Sequence, residues 1–94
     1  MYIENILIKT YSKVELFCIC RNIESHTDFS HDCGMLPYNT KKDMAWAINH
    51  YLKNTSVKTP TDALDFISSR SLIPSDSQVE STLNSHGEYP FINN

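Results

Sequence analysis

Ninety-four residues that are 40% apolar, 20% charged and 11% aromatic can fold around one modest core, which excludes wholesale disorder. Eight Lys and Arg against 11 Asp and Glu leave a formal charge of −3, so charge gives no reason to expect tight binding to nucleic acid or to an anionic membrane. The two glycines, Gly34 and Gly87, leave no phosphate-cradling loop, and no apolar run reaches the roughly 18 residues of a spanning helix. The N-terminal segment has neither the basic patch nor the cleavage site of a signal peptide. A cytoplasmic location without a membrane element is the expectation. Three cysteines, an odd number, then read as reduced thiols rather than a disulfide framework.

The first 23 residues hold Ile3, Ile6, Ile8, Thr10, Tyr11, Val14, Phe17, Ile19 and Ile23 and no alanine, a composition that favours strand. Tyr11-Ser12-Lys13 separates two apolar runs, so the expectation is a β-hairpin with strands near Ile3 to Lys9 and Val14 to Arg21. A helix competes, because Ile3, Leu7, Tyr11, Val14 and Cys18 also recur at spacings of four, four, three and four. Residues 24–39, dense in Ser, Thr, Asp, His, Gly and Pro, read as a long connection.

Thr40 then caps a helix with Asp43 at its third position, and Met44, Ala47, Ile48, Tyr51 and Leu52 form one apolar face ending near Lys53. Thr59-Pro60-Thr61-Asp62 opens a second helix, with Ala63, Phe66 and Ile67 as the buried stripe. Ser75, with Gln78 as capping-box partner, opens a third that carries Val79 and Leu83 and stops at Gly87. Residues 88–94 form a tail apolar enough to dock. The fold expected is a single α+β domain over residues 1–94, a small N-terminal β-hairpin followed by about three α-helices. The alternative is an all-α bundle with an N-terminal helix.

Three constellations bear on function. Cys18, Cys20, His26, His31 and Cys33, with Asp28 and Asp32 among them, offer zinc-ligand chemistry, and on a strand Cys18 and Cys20 would face the same side. Only the two histidines have a familiar ligand spacing, so core thiols and loop histidines are the preferred reading, with no metal or other cofactor expected.

Trp46 lies about 160° around its helix from Met44 and Ile48, on the side of Lys42, Asn49, His50 and Lys53. Either the N-terminal sheet or the tail covers it, or it is an exposed anchor for an acidic partner. The last two helices share the outline of a helix-turn-helix whose second member carries Ser77, Gln78, Ser81 and Asn84. Charge argues against DNA: from residue 59 onward Arg70 stands alone against Asp62, Asp65, Asp76, Glu80 and Glu88.

By elimination the expected function is non-enzymatic and stoichiometric binding to a protein partner, as in toxin-immunity proteins or phage-encoded inhibitors. The candidate contacts are Trp46, His50 and Lys53, or else Asp62, Asp65, Asp76 and Glu80. A DNA-binding regulator and a small zinc-binding domain are the alternatives.

Overall fold

A computed structural model of the chain describes residues 2–26, 40–88 and 91. Among these the secondary structure is helical throughout: α1 (Ile3–Thr10), α2 (Lys13–His26), α3 (Lys41–Leu52), α4 (Pro60–Ser69) and α5 (Asp76–His86). The expected N-terminal hairpin is therefore wrong, and the all-α alternative describes the fold.

The helical N-terminus has a local cause. Where a hairpin turn was expected, Ser12 Oγ accepts from the Glu15 backbone N–H at 3.2 Å, and Glu15 Oε1 accepts from the Ser12 N–H at 2.8 Å. This is a reciprocal capping box that begins α2. Tyr11, extended at φ −115° and ψ 146°, closes α1 by donating its N–H to the Leu7 carbonyl at 3.1 Å. The apolar series from Ile3 to Cys18 is thus cut at Tyr11. Leu16, Ile19, Cys20 and Ile23 become the buried face of α2 at the i, i+3, i+4, i+7 spacing of a helix. Strand propensity is weaker than burial along such a face.

Helix α3 is the hub. Thr40 Oγ1 accepts from the Asp43 N–H at 3.1 Å, and Met44, Ala45, Ala47, Ile48 and Leu52 are all buried. Helix α1 runs antiparallel to it, tied at both ends. Lys41 Nζ donates to the Ile8 carbonyl at 3.0 Å, a cation on one of the open carbonyls of the last turn of α1. Asn49 Nδ2 donates to Glu4 Oε2 at 3.1 Å. Ala45 lies between these ties, small enough for close helix approach. Helix α2 packs elsewhere on α3, where Cys20 Sγ donates to the Met44 carbonyl at 3.8 Å.

Helices α4 and α5 begin as the sequence implies. Thr59 Oγ1 accepts from the Asp62 N–H and Ser75 Oγ from the Gln78 N–H, each at 3.1 Å. Helix α4 packs on α1, burying Ala63 and Ile67 and setting Phe66 edge-on to Tyr51 at 6.2 Å. Helix α5 packs on α2. Its Gln78 side chain engages Asn22 rather than completing a capping box. Gly87, at φ 79°, ends α5 in a conformation few side chains tolerate.

The connection expected from residue 24 begins later, since α2 continues to His26, and residues 27–39 lie outside the described residues. Of the tail beyond Glu88, Phe91 docks edge-on to Phe17 at 5.5 Å.

Removing either arm of the capping box, by Ser12→Ala or Glu15→Ala, should cost about 0.5–2 kcal/mol, read as a lowered urea midpoint with unchanged slope. Burial, and secondarily the Glu15 carboxylate, push the Tyr11 phenol above its ordinary value of 10.0. The folded state therefore favours the neutral phenol. That contribution to stability is complete below the unfolded value and is lost as pH rises through the folded one. Thermal melts from about pH 9 to 12 should show Tyr11→Phe losing less stability with rising pH than the parent chain.

Candidate functional site

The packing of α3 determines what it leaves open. Ala45 and Ala47, about 100° to either side of Trp46, are buried, and so are Met44 and Ile48 on the far side. One strip remains, and Trp46 is at its centre with 46% of its surface exposed. Its indole stacks on the His50 imidazole, one helical turn on, with centroids 5.1 Å apart and planes 6° from parallel. Lys42 and Lys53 are exposed on the same strip, and half-buried Asp43 lies at its edge. Asn49, expected to share this face, instead turns to α1 and Glu4. There is no N-terminal sheet to cover the indole, and the described part of the tail packs on Phe17.

The acidic candidates fall on two helices. Asp62 and Asp65 of α4 are exposed at the rim of an open depression of about 360 Å³, lined also by Ser56, Val57, Phe66 and Ser69. The Arg70 guanidinium carbon lies 4.9 Å from the Phe66 ring centroid, so the strong base of this segment rests on an aromatic side chain. Asp76 and Glu80 are exposed on α5, which packs on α2 rather than on α4's partner α1. The four carboxylates are thus distributed over two separately packed helices.

The thiol geometry reverses the sequence expectation. On a helix, residues two apart diverge by about 200°. Cys18 Sγ lies 3.4 Å from Thr82 Oγ1 of α5, whereas Cys20 Sγ reaches α3. Both are buried, and they face different helices, so they cannot share an ion. Among the described residues no group of three or more Cys, His, Asp or Glu is placed to hold a metal. The side chain of His26 and all of Asp28, His31, Asp32 and Cys33 lie outside the described residues.

The helix-turn-helix outline also dissolves in three dimensions. Such a unit needs its two helices packed against each other. Here α4 packs on α1 and α5 on α2, with at most marginal contact between the two. Gln78, one of the candidate base readers, is paired with Asn22.

Sequence reasoning missed the contribution of Asn22 and the aromatic lining of the α4 depression. Asn22 gave no signal, because its partners Leu72 and Gln78 lie 50 and 56 residues away. Phe66 belongs to the apolar stripe of its helix, and periodicity alone does not reveal a rim position. No protein-family model, curated protein or solved structure matches this chain.

Because Trp46 is half-exposed, Trp46→Ala should cost clearly less in urea denaturation than a truncation in the core of the same helix. Ile48→Ala, two positions on and fully buried, should cost about 2–5 kcal/mol.

Proposed function

We propose that the protein acts by stoichiometric, non-catalytic binding to a protein partner that presents an acidic surface to the α3 strip centred on Trp46. The observation that carries this reading is the half-exposed indole already held in place by its stack on His50, between two exposed lysines. Tryptophan is the residue type most enriched among interface anchors. An indole fixed before contact loses less conformational freedom on binding, and Lys42 and Lys53 would steer an acidic surface toward it. An inhibitor or immunity protein works in this manner, by occupying its target rather than transforming it.

The test begins with tagged chain at near-native expression in its own cells, which should recover one saturable protein partner. Purified partner should shift the emission of Trp46, the chain's single tryptophan. Trp46→Ala should weaken binding by roughly 30-fold or more, about 2 kcal/mol, and Lys42→Glu with Lys53→Glu should slow association most at low salt. Reversing Asp76 and Glu80 should leave affinity within about twofold. An affinity indifferent to Trp46 but abolished by the Asp76 and Glu80 reversals would overturn the assignment of this face.

A further inference from the structure

Helix α5 is attached differently from the other four. None of its residues is buried, and Val79 and Leu83 are only half covered. Its grip on α2 is largely a polar seam. Asn22 Nδ2 donates to Gln78 Oε1 at 3.2 Å, and Gln78 Nε2 donates to Asn22 Oδ1 at 2.7 Å. One turn away, Thr82 Oγ1 donates to the Gln78 carbonyl at 2.9 Å, which leaves the Cys18 thiol as the donor toward Thr82 at 3.4 Å. At the far end His86 meets Phe17 edge-on at 5.2 Å. The pairs 18 with 82 and 22 with 78 place the two helices antiparallel along one line of contact.

The chain just before α5 is anchored to the body. Leu72 is buried, and its carbonyl accepts from Asn22 Nδ2 at 2.7 Å. Ile73 is then 41% exposed, and Pro74 and Ser75 lead into the helix. A joint therefore lies between a fixed point and a helix held mainly by groups that water can satisfy.

We infer that α5 is a latch, which undocks from α2 about residues 73–75 while α1 to α4 stay folded and so uncovers Phe17, Cys18 and Asn22. Hydrogen bonds exchanged for water cost little net free energy, whereas pulling apart the α1, α2 and α3 contacts would expose the fully buried Leu7, Leu16, Ile19, Met44 and Ile48. Opening of the cheapest cooperative unit precedes global unfolding. The two thiols of α2 make the prediction specific, because α5 covers Cys18 and α3 covers Cys20. The inference does not depend on the Trp46 face.

The experiment is pulsed thiol labelling of the full chain in native buffer, mapped to each cysteine by mass spectrometry and repeated in increasing urea. Cys18 should react roughly tenfold or more faster than Cys20, with a much weaker dependence on urea. Gln78→Ala, which removes the amide pair, should raise the Cys18 rate by roughly fivefold to tenfold and leave the Cys20 rate in step with global unfolding. Equal rates and equal urea dependence at Cys18 and Cys20 in the parent chain would overturn the latch, as would a Gln78→Ala chain in which both rates rise together.

Discussion

The reciprocal bond between Ser12 and Glu15 governs this architecture. Without a break near Tyr11, the apolar series from Ile3 to Cys18 would continue as one rod, and a rod presents one face to one neighbour. The capping box satisfies backbone donors at the start of a second helix, while Tyr11 finishes the first in extended conformation. Two short helices can then approach α3 separately. One is tied to it through Lys41 and Asn49, and the other packs where Cys20 meets the Met44 carbonyl.

The exposed strip on α3 follows from that division. A helix gripped by two neighbours loses most of its circumference to the core, and Ala45 and Ala47 have the small side chains that close approach requires. What remains is narrow and is occupied by the largest side chain the helix has. Trp46 lies outside the buried face of α3, half-exposed and stacked on His50. A bulky aromatic group that leaves much of its surface in solvent contributes less to folding than a buried one and is of the type most enriched among interface anchors. That asymmetry links the packing of α3 to the binding role proposed for it.

Apolar and polar attachment divide the remaining helices. Helix α4 inserts Ala63 and Ile67 into the shared core, whereas α5 contributes no fully buried residue and meets α2 through amides, a hydroxyl and aromatic edges. The fold therefore has a firm part and a more easily separated part. The boundary falls at Leu72, the last buried side chain before α5.

Much of the local structure was legible in the sequence. Thr40, Thr59 and Ser75 cap the helices they were expected to cap, and Met44, Ala47, Ile48 and Leu52 form the expected face, because hydroxyl caps and helical periodicity act within a few residues. In the N-terminal region β-branched composition points to strand, yet Ser12 and Glu15 carry the capping-box spacing, and that specific pair of hydrogen bonds outweighs the composition. The side chains at the centre of the candidate binding strip, Trp46 and His50, were also legible, as a consequence of their angle around the helix. Whether anything covered them was not, since that depends on where other helices lie. The sequence by itself determined where helices α3 to α5 begin and most of the face that α3 buries, because caps and helical periodicity are local. Only the tertiary structure decided that Cys18 and Cys20 face different neighbours, that α4 and α5 part company, and that Asn22 clasps Gln78, because each joins residues far apart along the chain or depends on which neighbour a helix selects.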